Sequence, residues 1–267
     1  MKYFYLIAVI TCLACNGSKK SVGTNAESLP SNVSLNGKVF TSLFQQRAAE
    51  YRALCLQGYN IARTRIDNYA STTTLPKAII TDIDETVLDN SPYAIKQAYL
   101  GKEYDAVSWY DWTSKAADDT MPGAASFLAY VATKNIEVFY ITNREEKERI
   151  STLKNLQQYN LPNADDAHFF PKQNTASKEE RRKQILQTHE VILLMGDNLA
   201  DFNRLFDKKT EPERKSATDL LASEFGVKYI VFPNANYGDW EGSLYKYDYK
   251  LLQAQKDSII KLNLISK

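Results

Sequence analysis

Four short apolar runs punctuate this chain, and each one stops at a group of polar residues. Ala78-Ile79-Ile80 leads into Asp82, and Ile136-Glu137-Val138-Phe139-Tyr140-Ile141 stops at Thr142-Asn143-Arg144. Val191-Ile192-Leu193-Leu194-Met195 stops at Gly196-Asp197-Asn198, and Val227-Lys228-Tyr229-Ile230-Val231-Phe232 stops at Pro233-Asn234. Helical patterns fill the intervals, over 124–134, 145–159, 178–187 and 213–225. Short buried strands alternating with helices predict an α/β chain with a parallel sheet. Ligands of such sheets sit beyond the carboxyl ends of the strands. One polar strand end carries no information, but Asp82, Asp84, Thr142, Asn143, Asp197 and Asn234 all fall at such ends and together mark a site.

The flanks are read from their own patterns. Residues 40–69 read as one long helix, with Leu43, Tyr51, Leu54, Tyr59, Ile61, Ile66 and Tyr69 at roughly helical spacing. Between Asn90 and Met121 the strand pattern lapses and aromatics crowd in: Tyr93, Tyr99, Tyr104, Trp109, Tyr110 and Trp112. That stretch is expected to be a helical insertion over the strand ends, placed to act as a lid or substrate cap. Residues 244–264 are expected to be helical and structural.

The N-terminus reads as an address. Lys2 precedes an uncharged, mostly apolar run over 3–14, which has the length of a signal-peptide core and is too short to span a bilayer. It ends in Cys12-Leu13-Ala14-Cys15-Asn16-Gly17-Ser18, which resembles the lipobox of bacterial lipoproteins, with Cys12 where that pattern carries Leu. The resemblance implies lipidation at Cys15, with ordinary secretion as the alternative. The following residues, to about 38, are rich in Ser, Asn, Lys and Gly and read as a flexible tether.

Composition narrows the chemistry. With 33 Lys and Arg against 32 Asp and Glu, the chain lacks the basic excess expected of a binder of nucleic-acid polymers. Its two histidines, His168 and His189, and three cysteines argue against a multi-histidine metal centre, a zinc cluster or a disulfide framework. Carboxylates are left as the reagents. Asp82 and Asp84 flank Ile83 at a strand end, where extended backbone would aim both to one side and a turn would splay them into different roles. Asp197 and Asp201 follow another strand. Clustered carboxylates with waters and a phosphate suit Mg²⁺, a hard cation that prefers oxygen. Lys178 can offset their mutual repulsion, and the Thr142 hydroxyl can donate to a phosphoryl oxygen.

In their order along the chain, Asp82-x-Asp84-x-Thr86, Thr142, Lys178 and Gly196-Asp197-x3-Asp201 resemble the haloacid dehalogenase (HAD) superfamily of phosphotransferases. More narrowly, residues 80–93 and 195–202 resemble the two signatures of class C acid phosphatases, bacterial lipoproteins that include an outer-membrane 5′-nucleotidase; Thr81 replaces a small aliphatic residue of the first signature. Residues 177–182 and 233–242 match as well, so the resemblance runs from about Thr41 to Gly242.

The resemblance implies a HAD-like Rossmannoid sheet flanked by helices, with a mainly helical cap at about 91–121 and an N-terminal helix. The domain organisation is then a signal over 1–14, a tether over 15–38 and a phosphatase domain over 39–267. The roles implied are Asp82 as nucleophile, forming an aspartyl-phosphate, and Asp84 as general acid and then base. Mg²⁺ would be held by the Asp82 carboxylate, the Asp84 backbone carbonyl and Asp197, with Asp201 in support. Thr142 and Lys178 would bind phosphoryl oxygens. Trp109 and Tyr237 are candidates to sandwich a nucleobase, and Asn143 is a candidate substrate contact or a loop-bonding residue. The implied reaction is hydrolysis of phosphomonoesters, with 5′-nucleotides or nicotinamide mononucleotide as substrates, at the outer membrane or cell surface or, failing an anchor, in the periplasm or medium. A broad acid phosphatase without nucleotide preference and a non-catalytic phospho-ligand-binding lipoprotein are the alternatives. Family members are often dimers, so a homodimer is a further expectation. His168 and His189 are expected to be structural, and Arg181 and Arg182 to lie on a solvated helix face.

Overall fold

The computed structural model describes residues 32–265. The signal, Cys15 and the tether up to residue 31 lie outside the described residues. In chain order the elements are α1 (Val33–Arg47), α2 (Ala49–Asp67), β1 (Lys77–Thr81), β2 (Leu88–Asp89), α3 (Ser91–Tyr99), α4 (Ala106–Thr113), β3 (Asp119–Thr120), α5 (Ala124–Thr133), β4 (Glu137–Glu145), α6 (Arg149–Gln158), β5 (Phe169–Lys172), α7 (Glu179–Leu186), β6 (Glu190–Gly196), α8 (Glu211–Leu220), β7 (Tyr229–Val231), α9 (Asp239–Leu244) and α10 (Gln253–Asn263).

Five strands form one parallel sheet in the order β5-β4-β1-β6-β7, with β1 at its centre. The apolar runs are continuous because the central strands are buried on both faces. Alternation then divides their side chains between two cores. Ile79, Val138, Tyr140, Leu193 and Met195 pack with Tyr59, Phe127 and Leu128 of α2 and α5. Ala78, Ile80, Phe139, Ile141 and Leu194 pack on the other face with Ile185 of α7. All four expected strands are present. β5 escaped notice because it is four residues long and contains Pro171, which is tolerated at a sheet edge.

Several boundaries differ from the sequence reading. The single helix over 40–69 is two helices, broken where Ala48 turns extended (φ −81°, ψ 129°). No Gly or Pro signals the break. It frees α2 to follow the sheet through Tyr51, Cys55, Tyr59, Ala62 and Ile66 while α1 packs on α3 and α10. Leu43 and Leu54 accordingly point outward. The tether stops short of residue 38, since α1 begins at Val33, where the Asp257 carboxylate of α10 accepts the N–H groups of Val33 (3.1 Å) and Ser34 (3.2 Å). A cap supplied from the far end of the chain leaves no local signature. The insertion contains α3 and α4, and its base is closed by the small antiparallel ribbon of β2 and β3, too short to register as a strand signal. Of residues 244–264, only Gln253–Asn263 forms a long helix; Lys246 and Tyr247 adopt left-handed backbone before it.

Candidate active site

The site assembles at the carboxyl end of the sheet. β1 is held to β6 as far as Asp82, whose N–H donates to Met195 O (2.9 Å). The chain then turns sharply: Ile83 O accepts the N–H groups of Val87 (2.8 Å) and Leu88 (2.9 Å), and Glu85 takes left-handed backbone at φ 55°. This turn splays the two acids. Asp82 points to the β6 side and Asp84 to the β4 side, so the open choice between a shared and a divided orientation resolves as divided.

On the β6 side, Asp82, Asp197 and Asp201 each offer a carboxylate oxygen within 4.8 Å of the others. Lys178, at the N-terminus of α7, inserts its ammonium between Asp82 and Asp201, lying 2.7 Å from the latter. Burial disfavours the charge on Lys178, but Asp201 and Asp82 outweigh it and raise its pKa. Burial, with Asp201 and Asp82 adding repulsion, pushes Asp197 well above the usual carboxylate range. Asp82 is raised as well, by burial first, with Lys178 opposing and Asp201 and Asp84 assisting. Three carboxylates against one ammonium leave an excess of negative charge, and every donor is a hard oxygen. That donor set fits a divalent cation such as Mg²⁺.

The loop after β6 is built to present these acids. Asp201 accepts the Asn198 N–H (3.0 Å), and Arg182 donates to the carbonyls of Ala200 (3.0 Å) and Asp201 (2.7 Å). Gly196 is required for this approach, since a Cβ there would lie 2.4 Å from Asp201 Oδ2. Asn234, after β7, donates to Asp197 Oδ2 (2.8 Å).

On the β4 side, Thr142 Oγ1 lies 3.4 Å from Asp84 Oδ2. Two residues on stands Arg144, a strand-end residue to which the sequence pattern assigns no role. It is fully buried and donates through Nε (3.0 Å) and Nη2 (2.8 Å) to Asp84 Oδ1 and through Nη2 (2.7 Å) to Asp118 of the insertion. Its only sequence signal was its place at a strand end. The side chain of Asp84 thus lies outside the carboxylate cluster, so any share it has in a metal site falls to its backbone, as the family pattern implies.

Other expected residues take varied places. Asn143 is exposed and its side chain accepts from Arg181 (3.0 Å), the loop-bonding alternative. Trp109 sits in the insertion, edge-on to Tyr93 (5.1 Å between centroids) and 5.7 Å from the Arg144 guanidinium. The Tyr237 hydroxyl donates to Glu85, which is buried behind the acid pair; burial, then Asp84 and Asp197, raise the Glu85 pKa. Arg181 and Arg182 are buried rather than solvated: Arg181 donates to Thr142 O (2.6 Å) and braces the end of β4. Helical spacing could not reveal that α7 turns these two arginines toward strand-end carbonyls. His168 and His189 both contact Glu137, the first residue of β4, and flank Phe139 at the opposite end of the sheet.

Residues 4–240 match the family described as HAD superfamily, subfamily IIIB (acid phosphatase). The structure is similar to that of the class C acid phosphatase from Bacillus anthracis, with 40% identity, a TM-score of 0.84, and coverage of 88% of this chain and 100% of that one. A tungstate-bound crystal structure of the same Bacillus protein gives 39% identity, a TM-score of 0.84, and coverage of 88% and 99%. Acid phosphatase 1 of Solanum lycopersicum is 27% identical over 166 residues, which are 59% of this chain. The chain spans 57% of that plant protein's length.

Proposed function

The chain belongs to the subfamily IIIB acid phosphatases of the HAD superfamily, and from that premise we propose that it hydrolyses phosphomonoesters through an aspartyl-phosphate on Asp82, with Mg²⁺ as cofactor. The observation that carries this reading is the division of labour at the end of β1: Asp82 in a carboxylate and lysine cluster, Asp84 outside it against Thr142 and Arg144. Two carboxylates kept in separate environments can serve as nucleophile and as proton carrier. Asp82, Asp197 and Asp201 would hold the cation, which supplies positive charge against the phosphoryl oxygens. Lys178 adds a second positive charge beside Asp82, and the Thr142 hydroxyl donates to the phosphoryl group. Positioning and charge neutralisation supply most of the catalysis in phosphoryl transfer. Tungstate, the oxyanion bound to the Bacillus relative, is a tetrahedral analogue of the group such a site would take.

For the substrate we propose a 5′-nucleotide or nicotinamide mononucleotide, whose nucleoside departs as the alcohol, with Trp109 of the insertion and Tyr237 beyond β7 flanking the base. Stacking reads no base edges, so tolerance among bases is expected. A broad phosphatase without nucleotide preference is the second reading. The chain would work outside the cytoplasm, anchored through a lipid on Cys15. Radiolabelled palmitate incorporated by the intact chain and lost in Cys15→Ala supports the anchor, and equal labelling refutes it.

Phosphate release from p-nitrophenyl phosphate, abolished by EDTA, restored by Mg²⁺ and absent in Asp82→Asn, is the expected result. No release, or release indifferent to both changes, overturns the mechanism. Tyr237→Ala should raise KM for nucleoside monophosphates several-fold more than for p-nitrophenyl phosphate; equal effects remove the nucleotide reading.

A further inference from the structure

We propose that Arg144 is a positioning residue that selects which oxygen of Asp84 carries the proton, and that it ties this choice to the insertion. The inference rests on the phosphatase reading above. Asp84 Oδ1 accepts from three donors: Arg144 Nε (3.0 Å), Arg144 Nη2 (2.8 Å) and Asn90 Nδ2 (2.9 Å). Among the described residues, Oδ2 meets only the long contact from Thr142 Oγ1 (3.4 Å). An oxygen saturated by three N–H donors has no lone pair left to hold a proton facing substrate. Oδ2 is therefore the working oxygen, and it lies on the Thr142 side, where the phosphoryl group would sit.

The same guanidinium reaches into the insertion. Nη2 donates to Asp118 Oδ2 (2.7 Å), and Asp118 is itself fixed by Asn155, which accepts its N–H (2.9 Å) and donates to its carbonyl (2.9 Å). Asn90, the third donor to Oδ1, accepts the Trp112 indole N–H (2.9 Å) from α4. Trp109 of the same helix faces the guanidinium at 5.7 Å. A guanidinium carries five N–H donors, enough to serve more than one carboxylate. Here one buried arginine serves two, and a single guanidinium cannot follow Asp118 without turning Asp84. The insertion that would surround the leaving alcohol thus sets the orientation of the acid that protonates it.

In the first half-reaction the Asp82 carboxylate attacks phosphorus, the ester P–O bond breaks, and the proton on Asp84 Oδ2 passes to the departing oxygen. In the second, water attacks the aspartyl-phosphate, its proton passes to Oδ2, and phosphate leaves Asp82 free. An alkoxide leaves poorly without that proton, whereas p-nitrophenolate leaves readily as the anion. The values of kcat/KM for glycerol 2-phosphate and p-nitrophenyl phosphate, which report steps through departure of the alcohol, therefore separate proton delivery from everything else.

The test compares that pair of substrates in wild type, Arg144→Lys and the double variant Arg144→Gln/Asp118→Asn, in which Asp118 is not left as an unpaired buried carboxylate and Asp84 keeps its Asn90 donor. Misdirecting a general acid should cost the alkyl ester about 100-fold more than the aryl ester, the low end of the range for general acid catalysis. Arg144→Lys should recover part of the ratio. An aryl-to-alkyl ratio that matches wild type in both variants overturns the assignment, whether or not absolute rates fall. Asn90→Ala, which removes one Oδ1 donor and no charge, should shift the ratio the same way by a smaller factor, and it decides the matter should the double variant fail to fold. A wild-type protein that releases neither alcohol instead sinks the phosphatase reading.

Discussion

Adding a single methyl group at Gly196 should disable the carboxylate cluster without substituting any charged residue. A Cβ at this position would lie 2.4 Å from Asp201 Oδ2, 2.6 Å from its Cβ and 2.8 Å from its Cγ. Ordinary carbon–oxygen contact is roughly 3.4 Å, so Asp201 must retreat by about 1 Å or β6 must bend. Asp201 has little freedom to do so, because its carboxylate is held by the Asn198 N–H (3.0 Å) and Lys178 (2.7 Å), and its carbonyl by Arg182 (2.7 Å). Overpacking of this kind costs about 1–3 kcal/mol. For a domain of this size that corresponds to a fall of about 2–12 °C in Tm, at roughly 2–4 °C per kcal/mol. The displacement passes through Lys178 to Asp82, and a 1 Å misplacement at a reacting group can cost about 100-fold in rate. Gly196→Ala is therefore expected to keep its circular-dichroism spectrum, melt earlier, need more Mg²⁺ for half-maximal activity and turn over about 100-fold more slowly. Gly37→Ala is the control: it lies inside α1 with nothing within 4 Å of the added carbon. That change should be neutral or stabilising, by about 0.5–1 kcal/mol. A Gly196→Ala protein with wild-type Mg²⁺ dependence and turnover would refute the argument that close approach of Asp201 builds the cluster.

Two further outcomes probe regions away from the cluster. His168 has Nδ1 2.7 Å from Asp165 and Nε2 3.0 Å from Glu137, so satisfying both carboxylates requires the doubly protonated ring. Burial opposes that charge, but the two carboxylate hydrogen bonds outweigh it and raise the His168 pKa. A raised folded-state pKa gives stability that is complete below the unfolded value of about 6.5 and is lost as pH rises through the folded value. His168→Gln should thus lower Tm more at pH 5 than at pH 9, and a uniform loss across pH would contradict the assignment. Asp257→Ala removes the cap on α1 and should cost about 1–2 kcal/mol, as other lost N-caps do, with kcat/KM unchanged; thermal melts and p-nitrophenyl phosphate kinetics read both, and an unmoved Tm would show that the cap contributes nothing.

The layout of the sheet was legible because a strand buried on both faces has to be an unbroken apolar run, and its end has to be polar to meet solvent and ligand. Asp82, Thr142, Asp197 and Asp201 were singled out on those grounds, and Lys178 as the residue opening the helix before β6 whose charge could offset theirs, together with the family pattern they resemble. Arg144, Arg181 and Arg182 were not, because an arginine reads the same in sequence whether it is solvated or buried. Its burial depends on whether carbonyls and carboxylates from other elements converge on it, as Asp84 and Asp118 do on Arg144. The break at Ala48 and the start of α1 at Val33 escaped for a related reason, since the packing of α1 on α3 and α10 and the Asp257 cap come from distant parts of the chain.

By itself the sequence determined four of the five sheet strands, the helices between them and the polar residues at the strand ends, since those follow from periodicity and local composition. Only the tertiary structure decided that Asp82 and Asp84 part company at the turn around Ile83, and that one buried guanidinium joins Asp84 to the insertion. The spacing Asp-x-Asp is compatible with either orientation. What separates the two carboxylates is the cation each one finds, Lys178 from α7 or Arg144 from β4, and that is settled by the order of the strands in the sheet.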